Sequence, residues 1–307
     1  SVLFTIFWIA VAVVAAMALG WLFRWAAVAA SRGEARRALK TAPLAASFGM
    51  LVILIYVVVA LFAPLIAPYA EREVVGAQFL PWDATHPLGT DNLGRDMLSR
   101  LIIGSRVSLS VGFVAVAISL LIGITLGATA GYFRGWYDDV VMWLVNVVWS
   151  IPTLLMVIAL TMVLGKGFWQ IFVAVGLTMW VEVARVVRGQ VMSLREKEFV
   201  EAAKVMGFST ARIIFKHILP NVLGPVAIIA AGNFATAILL EAGLGFLGIG
   251  VQPPTPSWGT MIKDHYGYII MDKPFLAILP GVAIMLLVLA FTLMGNGLRD
   301  ALDPREA

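Results

Sequence analysis

The residues of this sequence that could take part in chemistry are three histidines and a small set of charged side chains. Metal sites in proteins are built from clustered His, Cys, Asp or Glu ligands, whereas His86, His217 and His265 lie far apart along the chain. The chain of 307 residues contains no cysteine, which excludes disulfides, thiolate catalysis and Cys-based metal sites. We therefore predict no catalytic set and no metal site, and we interpret the histidines as loop residues.

One glycine-rich run resembles a nucleotide-binding motif. The glycines Gly243, Gly245 and Gly248 fit the pattern G-x-G-x-x-G. A dinucleotide site needs that pattern between a strand and a helix, but here it follows a long apolar run and precedes two prolines. We interpret it as a tight turn near Glu241. No G-x-x-x-x-G-K-[ST] sequence occurs, so any ATP-driven process must take its energy from another subunit.

The stretch from residue 196 to 221 has the most informative spacing, and it predicts two short helices. The first has an apolar face with i, i+3, i+4, i+7 spacing at Phe199, Ala202, Ala203 and Met206. Gly207 lies where a left-handed residue ends a helix, and Ser209 can cap the next one. Such an amphipathic element must bury its apolar face on lipid, on its own chain or on a partner, and its small alanine face favours docking in a protein groove.

The composition indicates which elements hold these residues. The chain is 61% hydrophobic and 13% charged, whereas soluble domains are about 45–50% apolar and about 25% charged. A helix of about 20 apolar residues spans a bilayer because its backbone polar groups are paired internally. The apolar runs predict seven transmembrane helices, near 2–23, 46–68, 107–131, 140–164, 170–188, 222–240 and 276–298. The predicted fold is an all-α integral membrane protein.

The distribution of basic residues predicts the orientation of the spans. Loop 24–45 carries Arg24, Arg32, Arg36, Arg37 and Lys40 against a single Glu34. Loop 189–221 carries Arg195, Lys197, Lys204, Arg212 and Lys216. Because basic loops stay in the cytoplasm, these loops, 132–139 and the C-terminus are predicted inside. The segments 69–106, 165–169 and 241–275 are predicted outside, together with the N-terminus.

The first apolar run allows two interpretations. Residues 1–23 could be a cleaved signal peptide, since Ala27-Val28-Ala29 offers small residues for cleavage. However, no basic region precedes the run, and the run is longer than the usual 7–15 residues of a signal peptide. A retained span with its N-terminus outside is the favoured interpretation.

Two features inside the spans predict helix packing. The residues Gly123, Gly127 and Gly131 are four apart, and small residues on one face let a neighbouring helix approach closely. We interpret this stripe as packing within the chain. The charged residues Glu182 and Arg185 are three apart near the cytoplasmic end of the fifth span, where we expect them to pair or to reach the interface.

The segment 196–221 resembles the "EAA" loop of ABC importer permeases. The resemblance rests on Glu201-Ala202-Ala203, Gly207 and Leu219-Pro220, at the family spacing. It implies that residues 196–217 form coupling helices that seat in a groove of an ATP-binding subunit. The coupling residues that it implies are Glu198, Glu201, Ala202, Ala203, Gly207, Phe208, Leu219 and Pro220.

Further motifs extend the resemblance over roughly residues 45–304, towards the C-type permeases of the dipeptide/oligopeptide/nickel group. The external motif residues are Gly89, Thr90, Asp91, Gly94, Arg95, Asp96, Pro253, Pro254, Trp258 and Gly259. The resemblance implies a six-helix type I ABC importer core, to which this chain adds one N-terminal transmembrane helix. It divides the chain into 1–45 (extra helix and basic linker), 46–106 (first core helix and external segment) and 107–304 (permease core with coupling loop 189–221).

The resemblance also implies a function and a set of partners. It implies a bacterial inner-membrane permease subunit that moves di- or oligopeptides inward by alternating access. The implied partners are a homologous B-type permease, two cytoplasmic subunits that bind ATP and Mg, an extracytoplasmic substrate-binding protein and the bilayer. No cofactor in this chain and no nucleic acid are implied. Nickel, glutathione and oligosaccharide remain alternative substrates.

Some residues depart from the family pattern. Trp143 follows Met142, Asn146 takes an acidic place, and Asn296 replaces the usual Asp before Gly297. These changes bear on the substrate or the partner subunit. A secondary transporter is the main rival class, but it usually shows several ion ligands within its spans, and acidic residues there are few. An intramembrane enzyme would need a catalytic set such as H-E-x-x-H, which does not occur.

Overall fold

A computed structural model describes residues 2–31, 43–165 and 167–302 of the chain. The described part is helical, and its only β pairing consists of two isolated bridges, Val74 with Arg95 and Thr90 with Asp96. Most of the basic cluster of the first loop, the loop residue Lys166 and the terminal motif at 303–304 lie outside the described residues.

Twelve α-helices make up the described part. They are α1 Val2–Ala30, α2 Leu44–Leu61, α3 Ala63–Ile66, α4 Met97–Phe133, α5 Gly135–Trp149, α6 Thr153–Leu164, α7 Phe168–Arg195, α8 Glu198–Val205, α9 Thr210–Arg212, α10 Leu219–Phe246, α11 Trp258–His265 and α12 Phe275–Leu302. A π-helical turn, Ile213–Ile218, joins α9 to α10, and a 3₁₀ turn, Tyr266–Met271, follows α11.

Six stretches of the described chain are long and apolar enough to span a membrane, and α5 with α6 forms a further pair bent by 92°. The fourth span was predicted as one continuous helix, and this is wrong. The break lies at Ser150–Pro152. Pro152 has no backbone N–H and disfavours the helical conformation of the residue before it, so α5 ends and α6 starts in a new direction.

The packing of α4 on α7 shows that the bent pair still crosses the membrane. A Cβ added at Gly123 would lie 2.5 Å from the Cβ of Val183, and one at Gly131 would lie 3.1 Å from the Cβ of Val191. The residue numbers of the contacting positions therefore increase in the same direction along both helices, so the two helices run parallel. Since α4 ends where α7 ends, the chain between them must return across the bilayer, and α5 with α6 makes that crossing. The predicted packing role of the glycine stripe is confirmed.

Helix α4 starts ten residues before the predicted third span at 107. Asp96 caps it, since its side chain accepts a hydrogen bond of 2.7 Å from the Ser99 N–H. With 37 residues, the helix is about 55 Å long, which exceeds a hydrocarbon core of about 30 Å. Its first turns therefore project beyond the bilayer, and the expected division between residues 106 and 107 falls inside one helix.

The remaining spans form a series with α1 at its edge. Helix α1 packs on α2, α2 on α12, α12 on α10, and α10 on both α4 and α7. The backbone of α1 approaches α2 closely at Gly20, where a Cβ would lie 2.7 Å from the Leu44 carbonyl oxygen. Much of the described surface of α1, including Trp21 and Trp25, is exposed. The fold is a six-span core with one additional N-terminal helix.

Candidate functional site

The segment between α7 and α10, here called the connecting segment (residues 196–218), folds as the helix–turn–helix that its sequence predicts. Helix α8 has Glu198 and Glu201 in its first turn and Lys204 in its last, which suits the helix dipole at both ends. Gly207 is left-handed, with φ of +75°, and ends the helix. Ser209 then caps α9 by accepting a hydrogen bond from the N–H of Arg212.

The buried face of α8 differs from the predicted one. Val200 and Ala203 are buried, Ala203 with 1% of its surface exposed, and they pack in a cluster that includes Ile213, Ile214 and Ile218. Ala203 was placed on the docking face, and this is wrong. Ala203 belongs to two apolar stripes with helical spacing, one formed by residues 199, 202, 203 and 206 and the other by residues 200 and 203. The turn at residues 206–209 folds the following helix onto the second stripe.

The other face of α8 leaves large apolar side chains uncovered. Val205 is 89% exposed, Met206 62% and Phe199 42%, and Ala202 between them is also exposed. Charged residues border this surface, here called the α8 apolar face. Apolar side chains grouped on one exposed helix face mark a protein-binding surface. Of the coupling residues that sequence reasoning named, Ala202 lies on this face, whereas Ala203 supports it from below.

A continuous helical connection joins the connecting segment to α10. The second short helix and the sixth span were predicted as separate elements, whereas Thr210–Phe246 forms one helical stretch. Pro220 cannot donate to the carbonyl four residues earlier, and the π-helical turn before it accommodates this loss. The Asn221 amide donates to the His217 carbonyl oxygen at 2.7 Å, and Phe208 stacks on the His217 ring at 5.6 Å. Leu219 is the first residue of α10.

Two ion pairs anchor the same end of the bundle. Arg188 of α7 donates to both carboxylate oxygens of Asp138 in α5, at 2.5 Å each. Arg134, between α4 and α5, donates to Glu196 at 2.7 Å. Charge-assisted bidentate pairs are stronger than neutral hydrogen bonds, so the Arg188–Asp138 pair ties α7 firmly to α5. The single, exposed Arg134–Glu196 contact joins the α4–α5 corner to the start of the connecting segment. Sequence reasoning missed both pairs, because their partners are 50 and 62 positions apart.

At the opposite end of the bundle, residues 67–96 and 247–274 form a polar cap, here called the capping region. Its centre is Asp91, which is fully buried. One Asp91 carboxylate oxygen accepts the backbone N–H groups of Leu93 and Arg95, at 2.8 and 3.0 Å. The other accepts Nε of Arg95 at 2.7 Å and lies 3.5 Å from Nε of Arg100. A buried carboxylate requires such partners, and Asp91 uses them to fix the loop.

The two histidines of the capping region are both buried. His86 lies in a loop, as interpreted, whereas the interpretation of His265 as a loop residue is corrected. Nδ1 of His86 lies 3.0 Å from Asp96, the cap of α4. His265 ends α11, where its ring contacts the Met261 carbonyl oxygen at 2.7 Å and Asn92 at 3.2 Å. Burial lowers the pKa of His265. Among the described residues no group of three His, Asp or Glu could hold a metal ion.

The glycines of the capping region allow close backbone contacts. Gly89 and Gly94 have φ of +71° and +74°, values that glycine adopts without steric cost. A Cβ at Gly259 would lie 2.5 Å from the Ala242 carbonyl oxygen, and one at Gly245 would lie 2.9 Å from the Thr260 nitrogen. The position of the tight turn predicted near Glu241 is therefore corrected. Helix α10 continues to Phe246, the turn follows at Gly248, whose φ is +78°, and the other glycines let α11 pack against α10.

The structure brings the two halves of the external motif together. Thr90 bonds the Ala77 carbonyl oxygen at 2.7 Å and accepts the Leu80 N–H at 2.8 Å. Trp258 donates to the Leu101 carbonyl oxygen at 3.0 Å. Residues of both halves border one recess of about 360 Å³, among them Arg95, Arg100, Pro253, Pro254 and Thr260. The motif thus builds a rigid cap over the end of the bundle that is remote from the α8 apolar face.

Comparison with known proteins agrees with this architecture. The sequence model of a family described as "Binding-protein-dependent transport system inner membrane component" matches residues 123–307. A second, described as "N-terminal TM domain of oligopeptide transport permease C", matches residues 32–90. Among solved structures, an inward-facing methionine ABC transporter, MetNI, has a chain that superposes with a TM-score of 0.56 at 19% identity, covering 67% of this chain and 98% of that one.

Curated relatives are similar over most of their length. The dipeptide transport system permease protein DppC of Alkalihalophilus pseudofirmus is 42% identical over 274 residues, covering 89% of each chain. The oligopeptide transport system permease protein OppC of Bacillus subtilis is 38% identical, covering 85% of each. The glutathione transport system permease protein GsiD of Pectobacterium atrosepticum is 37% identical, covering 83% of this chain and 85% of that one.

Fold and site together define a multi-pass helical permease subunit of the type I ABC importer class, located in the inner membrane. The chain belongs to the family of inner membrane components of binding-protein-dependent transport systems. Its relatives are transport permease subunits, which agrees with a non-catalytic membrane role.

Proposed function

We propose that this chain is the C-type permease subunit of an ATP-driven importer that moves di- or oligopeptides into the cell. Relatives whose names specify dipeptide, oligopeptide and glutathione transport support the substrate class, and glutathione is itself a small peptide. The observation that carries the mechanism is the exposed α8 apolar face, which the turn at Gly207 joins to the continuous helical stretch Thr210–Phe246.

The connecting segment faces the cytoplasm in this proposal, and the N-terminus lies outside. The end of α7 and the connecting segment carry seven basic residues, Arg185, Arg188, Arg195, Lys197, Lys204, Arg212 and Lys216. Basic residues near the ends of spans are retained in the cytoplasm. The capping region, where Arg95 pairs with Asp91, then lies outside and receives the substrate-binding protein.

The proposed partners are a homologous B-type permease and two cytoplasmic ATPase subunits that hold ATP and Mg. The α8 apolar face seats in a groove of one ATPase. When the ATPases close on ATP, α8 moves with them. Because α9, the π-helical turn and α10 form one connected helical path, that motion tilts α10 and opens the transport pathway to alternate sides. The Ala203 cluster keeps α8 fixed to the helix that it drives.

A charged substitution on the α8 apolar face tests this function. Reconstituted with its partners, the Val205→Glu variant should lose substrate-stimulated ATP hydrolysis by about tenfold or more, as expected for a central interface residue, while its melting temperature stays unchanged. The matched Val205→Leu variant keeps the side chain apolar and should retain hydrolysis.

A second substitution separates docking from folding. Ala203→Glu places a charge in the buried cluster and should lower the melting temperature of the chain itself. Normal stimulated hydrolysis by Val205→Glu would contradict the proposed role of the α8 apolar face. Peptide uptake by this chain without any ATPase would contradict the importer class altogether.

A further inference from the structure

A carboxylate within α7 has no partner in the described part of the chain. Glu182 lies six residues, or about 9 Å, before Arg188 towards the opposite end of the helix, and its side chain is exposed. It was expected to pair with Arg185 or to reach the interface. Arg185 instead donates to Asn146 at 3.0 Å and lies 3.3 Å from the centroid of the Trp149 ring, and no ion pair with Glu182 forms.

A charge at this depth does not face lipid without large cost, and Glu182 borders a polar recess. The recess has a volume of about 160 Å³ and lies where the α5–α6 break meets α7 and α10. Breaks in membrane helices commonly line transport pathways, since irregular backbone is tolerated there only beside water or protein. The residues with polar groups that line it are Trp149, Thr153, Thr178, Glu182, Asn233 and Thr236.

The hydrogen-bonding state of these side chains limits what the recess can bind. The hydroxyl of Thr178 donates its proton to the Val175 carbonyl oxygen at 2.8 Å, and that of Thr236 donates to Gly232 at 3.1 Å. A hydroxyl has one proton, so towards the recess both groups can only accept.

Asn233 and the end of α5 at the α5–α6 break also favour a ligand that donates hydrogen bonds. The Asn233 amide donates to Ser119 at 3.3 Å, which leaves its carbonyl oxygen for an acceptor role. Helix α5 ends beside the recess at Trp149, and the C-terminal end of a helix carries partial negative charge. With the Glu182 carboxylate, these groups give the recess a set of acceptors. The start of α6 at Thr153 and the cation of Arg185, which stacks on Trp149, lie at its edge, so the preference for a donor comes from the acceptors and the carboxylate.

We propose that this recess binds the free α-amino group of the transported peptide, with Glu182 as the counterion. An ammonium has three N–H donors and no acceptor, which matches a carboxylate surrounded by accepting oxygens. A divalent metal ion fits less well, because the recess contributes one carboxylate and no His. This inference rests on the proposed peptide transport and specifies which end of the substrate this subunit recognises.

Transport by the complete importer in proteoliposomes tests the charge requirement. For trialanine, Glu182→Gln should lower uptake by about tenfold or more, the effect of losing one charge-assisted hydrogen bond, and Glu182→Asp should retain most uptake. For N-acetyl-trialanine, which has no ammonium, the ratio of wild-type to Glu182→Gln uptake should stay within about twofold. The binding protein is the same in both variants, so its own preference cancels in each ratio. Asp139→Asn, an exposed carboxylate outside the recess, is the matched control.

A labelling experiment provides a second readout that does not depend on acetylated substrate. The chain has no native cysteine, so Thr236→Cys introduces a single thiol into the recess. A water-soluble thiosulfonate reagent should modify it, and trialanine should slow the modification. That protection should disappear when Glu182→Gln is added.

The outcomes separate the possible failures. Equal losses of trialanine and N-acetyl-trialanine uptake in Glu182→Gln would overturn the proposal and assign Glu182 to an ion pair with the partner permease. A thiol at 236 that never reacts would also overturn it, because the recess would then be sealed by protein. If the wild-type importer moves no peptide at all, the proposed function fails, while the labelling still reports whether the recess is open to water.

Discussion

At the scale of single residues, buried charges fix the folded structure more than exposed charges do. Asp91 fixes a turn by accepting two backbone N–H groups while its carboxylate pairs with Arg95 and lies 3.5 Å from Arg100. Such a carboxylate contributes little net stability as a pair, but removing it leaves buried positive charge uncompensated. Glu182 is the opposite case, since its charge is exposed and unpaired within the described part of the chain. The first is a structural residue, and the second is available to a substrate.

Replacing the buried carboxylate tests the structural role. Asp91→Asn keeps the shape of the side chain but removes its charge, and it should lower the free energy of unfolding by about 3 kcal/mol. Melting in detergent and faster proteolysis within residues 67–96 measure the effect. Arg72→Gln, which breaks a weak pair with an exposed Arg72 side chain, should change stability by less than about 1 kcal/mol. A melting temperature of Asp91→Asn equal to that of the wild type would contradict the role of the network.

At the scale of elements, two features determine how the helices are joined: close backbone contact and helix continuity. The parallel contact of α4 with α7 is possible because glycines remove the side chains between them. The continuity of α9 with α10 depends on a π-helical turn that accommodates Pro220. The close contact makes α4 and α7 a tightly packed pair of spans. The continuous helix connects the segment that carries the α8 apolar face to α10, which lines the recess beside Glu182.

The same substitution at two glycines should have opposite effects. In a helix, Gly→Ala is intrinsically stabilising by about 1 kcal/mol. At Gly281, where nothing lies within 4 Å of an added Cβ, the melting temperature should stay equal or rise. At Gly127 the added Cβ would meet the backbone of Ala184. The melting temperature should therefore fall, because overpacking destabilises a folded protein by about 1–3 kcal/mol. If both variants melt alike, the close contact of α4 with α7 is not present in the folded protein.

At the scale of the whole molecule, the bent pair sets the number of crossings. Because α4 and α7 are parallel, the 92° bend between α5 and α6 lies within a single traverse of the bilayer. A re-entrant loop would have made α4 and α7 antiparallel. Seven crossings then place the two ends of the chain on opposite sides, with the capping region and the connecting segment also on opposite sides.

Labelling single cysteines with a membrane-impermeant maleimide measures this topology, since the chain has no native cysteine. Glu73→Cys and Trp169→Cys should react in intact cells, whereas Trp136→Cys and Lys197→Cys should react in inverted vesicles. The Trp136 and Trp169 pair is decisive, because these exposed residues flank the bent pair. Reaction of both from one side would show a re-entrant loop, and reaction of Lys197→Cys in intact cells would reverse the proposed orientation.

Much of the fold was predictable from the sequence, because its signals are local. Apolar runs of span length, the balance of basic residues and the glycine at 207 each report on a stretch of chain shorter than about 30 residues. The connecting segment was also found in this way, whereas the motif residues of the capping region were named from the family resemblance. The boundaries were less accurate, since a helix such as α4 continues past the apolar run into residues that other segments bury.

What only the tertiary structure decided is which surfaces face each other. Helical spacing allowed two apolar stripes on α8, and the turn at Gly207 decided that Ala203 packs inward while Val205 stays exposed. Spacing also placed Glu182 beside Arg185. In the structure, however, Arg185 bonds to Asn146 and stacks on Trp149, which are about 40 positions away. Contacts between distant segments depend on how the whole chain packs, which no local pattern encodes. For that reason the sequence by itself determined the class of protein, and the packing determined its docking face and its polar recess.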